Sequence, residues 1–319
     1  MDASRRNDLY PDIVPYQHGL MAVDYPHRIY WEQAGNAEGV PVLFCHGGPG
    51  AGSSPSQRRF FDPRHYRIIL FDQRGAGRSR PVAEIRDNTT DHLIADMEKL
   101  RRKLGIQRWI LFGGSWGSSL ALAYAIRNPE RTAGLILRGV FLCRARELDW
   151  FTYGMGTVFP EAHKAFAEFI PPGERHDLLE AYYRRLTAGS PAEQSAAALA
   201  WSRYETACST LMPPRDPLPG DGTAALALAR LEAHYIRNRM FLPENHFLDN
   251  VERLRRIPCA IVQGRYDLVC PIASAHALSQ AWPEAEFTVI PDAGHSAMEP
   301  GTRSALVDAT ERFKVLTAA

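Results

Sequence analysis

Cysteine is sparse and scattered. The five residues (Cys45, Cys143, Cys208, Cys259 and Cys270) are odd in number, and no Cys-x-x-Cys occurs in 319 residues. That argues against a disulfide framework and against a zinc site, and it fits reduced thiols in a cytoplasm. No apolar run approaches the length that spans a bilayer. The opening Met-Asp-Ala-Ser-Arg-Arg-Asn-Asp has no apolar core of the kind a secretory signal carries, so a cytoplasmic location is expected. An excess of one charge is also missing. Lys and Arg total 37 against 36 Asp and Glu, a net charge of +1, so neither nucleic acid nor an anionic membrane is expected as a partner. Repeats and low-complexity tracts are absent. What is left is globular composition, 45% hydrophobic and 23% charged, in a chain long enough for one large domain or a core with an inserted subdomain.

Short continuous apolar runs mark strands buried on both faces. They lie at Val40 to Cys45 and Tyr66 to Phe71; Trp109 to Phe112 is a further apolar run, and Thr132 to Leu137, Cys259 to Gln263 and Glu286 to Ile290 also read as strands. Tyr16 to Gly35 reads as two further strands joined at Tyr25-Pro-His27. Helical patterns fall between the runs: Thr89 to Leu104, with the stripe Leu93, Met97, Leu100, Leu104 and a stop at Gly105, then the stretch after Ser119, Ile272 to Trp282, and Thr302 to Leu316. Strands alternating with helices predict an α/β protein with a mostly parallel central sheet. The rhythm breaks after about Gly139. Up to about Asn250 only helix patterns and proline-rich loops occur. One helix opens at the capping box Ser190-Pro-Ala-Glu193 and runs to about Leu211, and another spans about Thr223 to Arg239. Pro213 to Gly220 reads as a rigid loop between them. The expected organisation is a core of residues 1–139 and 251–319 interrupted by an all-helical cap, 140–250.

The chemistry-bearing residues follow strand runs, where open parallel sheets bind ligands. Gly113-Gly-Ser-Trp-Gly-Ser118 joins an apolar strand to a helix. Strand, glycine turn and helix are the setting of a nucleophile elbow, which makes Ser115 a candidate nucleophile. Asp267 comes three residues after the Ala260–Gly264 run, and His295 follows the run ending at Ile290. The order Ser115, Asp267, His295 is that of an α/β-hydrolase triad, with His295 as base and Asp267 as its orienting acid. Asp292 competes with Asp267 but lies awkwardly close to His295 on one loop. The oxyanion donors would be the N–H of Trp116 and one from His46-Gly-Gly-Pro-Gly50, either Gly48 or its neighbour Gly47. His46, Asp72 and Arg74 read as structural.

A triad alone does not separate an esterase or amidase of small acyl substrates from a peptidase. The helical insertion carries Glu205 and Glu232 on apolar helix faces, neither with Lys or Arg at i±3 or i±4. Glu180, by contrast, has Arg184 at i+4 and reads as a surface pair. Spacing alone leaves two readings, carboxylates awaiting a cation or ordinary solvated glutamates, and favours the second.

Taken together, His46-Gly-Gly-Pro-Gly50, Asp72-Gln-Arg-Gly-Ala-Gly-Arg-Ser79, Gly113-Gly-Ser-Trp-Gly-Ser118, Leu137-Arg-Gly-Val-Phe141, Gly264-Arg-Tyr-Asp267 and Gly294-His295 resemble the proline iminopeptidases over essentially the whole chain. The resemblance implies an α/β-hydrolase fold, and release of N-terminal proline from peptides by a serine mechanism without metal or cofactor. It implies that Glu205 and Glu232 bind the substrate's free imino group. It places Arg138 near the site, and Phe141 and Cys270 at the proline pocket.

Overall fold

The computed structural model describes residues 8–212 and 222–316; the Pro213–Gly220 loop lies outside them. Eight strands form one sheet in the order β1-β2-β4-β3-β5-β6-β7-β8. They are β1 (Gln17–Ala22), β2 (Arg28–Gly35), β3 (Val40–Cys45), β4 (Tyr66–Asp72), β5 (Trp109–Ser115), β6 (Thr132–Val140), β7 (Cys259–Gly264) and β8 (Glu286–Ile290). β2 pairs antiparallel with both its neighbours, and every other pairing is parallel. The predicted runs are these strands; β4 and β7 run on by one residue, to Asp72 and Gly264, and β5 and β6 by three, to Ser115 and Val140.

Alternation along the strands assigns their side chains to two layers. Leu43, Ile69, Phe71, Leu111, Leu135 and Ile261 face one core, which also holds Leu93 and Met97 of α1 (Thr90–Lys103) and Leu120 of α2 (Trp116–Arg127). Val42, Phe44, Ile68, Leu70, Phe112 and Val262 face the other, which Leu306 and Ala309 of the closing helix near the C-terminus complete. Both faces are therefore dry, as the unbroken apolar runs require.

Between β6 and β7 no strand occurs among the described residues. The helices there are α3 (Ala145–Thr152), α4 (Pro160–Glu168), α5 (Leu178–Ala188), α6 (Pro191–Cys208), α7 (Gly222–Arg237) and the short α8 (His246–Asp249). Two more helices, α9 (Ile272–Ala281) and α10 (Pro300–Arg312), flank β8. The α6 capping box is formed as expected, with Ser190 and Glu193 each accepting from the other's backbone N–H. An aromatic cluster knits the segment: Phe166 stacks on Tyr182 at 4.3 Å and on Tyr204 at 4.5 Å between ring centres. The predicted Glu180–Arg184 pair is not made. Arg184 binds Glu174 and Glu180 takes Arg237, because α5 packs on α7 and on the turn before it. Among the described residues no helix is long and apolar enough to cross a membrane.

Candidate active site

Ser115 ends β5 and begins α2 with φ +57° and ψ −130°. A non-glycine residue held at positive φ costs on the order of 1–3 kcal/mol, which the surrounding turn must overcome. Two glycines make that turn possible. A Cβ on Gly113 would sit 2.1 Å from the Gly117 carbonyl oxygen, and one on Gly117 would sit 2.0 Å from the Cys45 carbonyl oxygen. The Ser115 side chain is thus held at the carboxyl end of the sheet, against the positive end of α2.

The loops after β7 and β8 bring Asp267 and His295 together. His295 Nδ1 lies 2.9 Å from each Asp267 carboxylate oxygen. Asp267 is itself held: Oδ1 accepts from the Cys270 N–H at 2.8 Å, and Oδ2 accepts from the Gln263 amide at 3.1 Å. The imidazole ring lies beside Gly139, where a Cβ would touch its Cε1 at 3.0 Å. Gly139 precedes Val140, the strand partner of Ser115, so the ring stands next to the serine's own rung. The Ser115 hydroxyl lies 3.9 Å from Cys270 Sγ and makes no hydrogen bond to His295 among the described residues. Such contacts are commonly loose without substrate and tighten when it binds.

Arg138 reaches the same place from β6. Its Nη1 donates to the His295 carbonyl oxygen at 2.8 Å and lies 3.1 Å from Nε2 of the ring. It lies outside the cavity lining. Burial pulls its guanidinium below the ordinary value, opposed by the Asp267 charge. The position suits holding the base more than touching a ligand.

A cavity opens over Ser115, lined among others by Gly48, Phe141, Glu205, Glu232 and Cys270. Packing of α6 on α7 puts both glutamates on one wall, although the sequence separates them. Glu232 is only 4% exposed, which overturns the solvated reading that spacing alone favoured. The two carboxyls adjoin, and the Trp201 indole N–H donates to Glu232 at 2.6 Å. Burial raises the pKa of both, and for Glu232 the neighbouring Glu205 charge raises it further. Gly48 lines the cavity at φ +100°, and Gly47 stands behind it, close to the Ser115 Cβ.

Several lining residues carried no sequence signal. Met240 enters from a left-handed turn, Arg239 to Phe241, in which three successive non-glycine residues have positive φ. Glu147 also lines the cavity, but its carboxylate is fully engaged by Arg144, Ser274 and the Leu142 N–H. Its Arg144 to Glu147 spacing was the one available hint. Among the described residues no group of three or more His, Cys, Asp or Glu is arranged to hold a metal.

Comparison with known proteins bears on the fold and the family. The family model described as alpha/beta hydrolase fold matches residues 40–302. A probable proline iminopeptidase of Leptolyngbya boryana is 53% identical over 96% of each chain. A proline iminopeptidase of Arabidopsis thaliana is 49% identical over 98% of this chain and 83% of its own. Among solved structures, a proline iminopeptidase-related protein of Thermus thermophilus superposes with TM-score 0.59 at 23% identity, covering 95% of this chain and 99% of the other. At that identity the structural likeness speaks for the fold alone.

Proposed function

The chain belongs to the proline iminopeptidase family of α/β hydrolases, and on that premise we propose that it releases proline from the N-terminus of peptides by serine acyl transfer. Ser115 Oγ attacks the carbonyl of the first residue while His295 Nε2 takes its proton. Asp267, bonded to Nδ1, fixes the tautomer and stabilises the imidazolium. The backbone N–H groups of Trp116 and Gly48 receive the oxyanion, each worth roughly 3 kcal/mol in the transition state. His295 then protonates the departing amine, and water, activated by the same base, releases proline from the acyl-enzyme.

The observation that carries this reading is the placement of Glu205 and Glu232 in the cavity over Ser115. Burial and mutual repulsion raise the pKa of two adjoining carboxyls, which favours a proton held at the pair. A cationic imino group can replace that proton and be paired rather than stranded. An anchor for the nitrogen of the first residue also sets which bond lies over Ser115. An ester or amide of a neutral acid needs no such wall. On this reading residues 140–250 act as a cap that binds substrate, with Phe141 and Cys270 against the proline ring and Arg138 steadying His295. Five buried, unpaired cysteines support a reducing compartment, the cytoplasm.

The test is a panel of chromogenic amino-acid amides, with and without a blocking group on nitrogen. Fast release from the free proline amide and none from the blocked one is expected. Rapid ester turnover with no proline release would replace this reading with that of a small-acyl esterase.

A further inference from the structure

Gln73 follows β4, is 1% exposed, and plays no part in the steps described above. Its hydrogen bonds leave no ambiguity. The Trp116 indole nitrogen can only donate, so the Gln73 atom 2.8 Å away is the amide oxygen. The amide nitrogen therefore donates to the His46 carbonyl oxygen at 2.8 Å. The Gln73 backbone N–H donates to His46 Nε2 at 2.9 Å. That places the imidazole proton on Nδ1, which donates to the Gly47 carbonyl oxygen at 2.9 Å. His46 is buried, which disfavours its charged form and keeps this tautomer.

These bonds have a geometric consequence. In a trans peptide unit the C=O and N–H point in opposite directions. The peptide linking Gly47 to Gly48 is trans. Drawing its carbonyl back to His46 turns the Gly48 N–H forward, and Gly48 lines the cavity over Ser115. The other oxyanion donor belongs to Trp116, whose side chain Gln73 grips directly. One side chain thus touches both segments that the oxyanion would bridge, which the covalent chain connects only through β4, α1 and β5.

We propose that Gln73 is the positioning residue of the oxyanion hole, setting the distance between the Gly48 and Trp116 N–H groups. The proposal rests on the serine-hydrolase reading of the site but not on proline as substrate. Oxyanion donors act on the tetrahedral species and little on bound substrate, so a misplaced pair lowers kcat and spares KM.

The experiment compares wild type with Gln73→Glu and Gln73→Leu on proline 4-nitroanilide and on 4-nitrophenyl acetate, and measures inhibition by a proline boronic acid and by proline itself. Gln73→Glu keeps the acceptor for Trp116 and loses the donor for His46; Gln73→Leu loses both. Expected are kcat losses of roughly 10-fold and 10²-fold, the upper figure approaching loss of a whole donor. KM and inhibition by proline should hold within about twofold, and boronate affinity should fall in step with kcat. Unchanged kcat and boronate affinity overturn the proposal. So do equal losses in kcat, KM and proline binding, which would mark a merely structural role. If the Gln73 variants do not fold, Trp116→Phe frees the same clamp from one side and must reproduce the kcat and boronate losses. A wild type that turns over only the ester would sink the prolyl reading, and the clamp would still be decided on that ester.

Discussion

Glu205 on α6 and Glu232 on α7 adjoin on the wall of the cavity that Ser115 opens into. Their raised pKa values mean that the folded chain binds more protons than the unfolded one. The window runs upward from the ordinary glutamate value near 4.3. For a pKa raised on folding, the stabilising contribution is present below the unfolded pKa and is lost as pH rises through the folded one. Burying this pair therefore weakens the fold at neutral and alkaline pH. Glu205→Gln is expected to raise Tm near pH 8 and to leave it nearly unchanged near pH 4. Thermal denaturation at the two pH values checks this, and a lower Tm near pH 8 would contradict it.

The same pair predicts how substrate binding responds to pH. A cation must displace the shared proton, so KM for a free proline amide should rise as pH falls. Either Glu→Gln change should raise KM by roughly 10- to 150-fold, the equivalent of about 1.5–3 kcal/mol for a charge-assisted hydrogen bond. It should also flatten the acid side of the KM profile. A Glu→Gln variant with wild-type KM across that range would remove the anchor from the mechanism.

Ser115→Ala should reduce kcat on the order of 10⁶-fold while Tm changes little or rises, since a strained nucleophile loses its function but not its packing. Steady-state rates and labelling by a fluorophosphonate test this together. Persistent labelling of the variant would point to another nucleophile.

Cys270 lines the cavity 3.9 Å from the Ser115 hydroxyl. Burial, reinforced by the nearby Asp267 charge, pushes its thiol well above the ordinary range. Thiolate is the reactive form, so a maleimide should inactivate slowly at neutral pH, faster at higher pH, and more slowly with proline bound. Inactivation should disappear in Cys270→Ser. If the serine variant were inhibited at the wild-type rate, another cysteine would be responsible.

Arg74 is fully buried and binds Asp96 through Nε at 2.6 Å and Nη2 at 2.7 Å. Burial pushes the Asp96 pKa upward, and the Arg74 bonds offset part of that. Arg74→Met strands the carboxylate and should cost about 3–5 kcal/mol, read as a lower denaturant midpoint. A loss below about 1 kcal/mol would mean that Asp96 is neutral in the fold.

The sheet and the loops after its strands were legible in the sequence because both depend on local pattern. A strand buried on both faces must be continuously apolar, and that continuity marks where β3 to β7 begin and, to within three residues, where they end. The turn at Ser115 needs glycines where Cβ atoms would collide, and Gly113 and Gly117 announce it. Asp267 and His295 were found by their place after such runs, and the structure brings them to 2.9 Å. The packing of α6 on α7 could not be read in this way. Helix periodicity says which face is apolar and does not say which other helix will cover it. So Glu205 and Glu232 looked like solvated residues by spacing, Glu180 looked paired with Arg184, and Met240 gave no sign of reaching the cavity. Local pattern was enough for the sheet, the elbow and the order of the candidate triad, since these follow from nearest-neighbour sterics and the period of burial. That two distant carboxyls face one another, and that Gln73 joins the His46 loop to Trp116, emerged only when the folded elements were packed together. Those relationships depend on which surfaces meet, and no local rule encodes that choice.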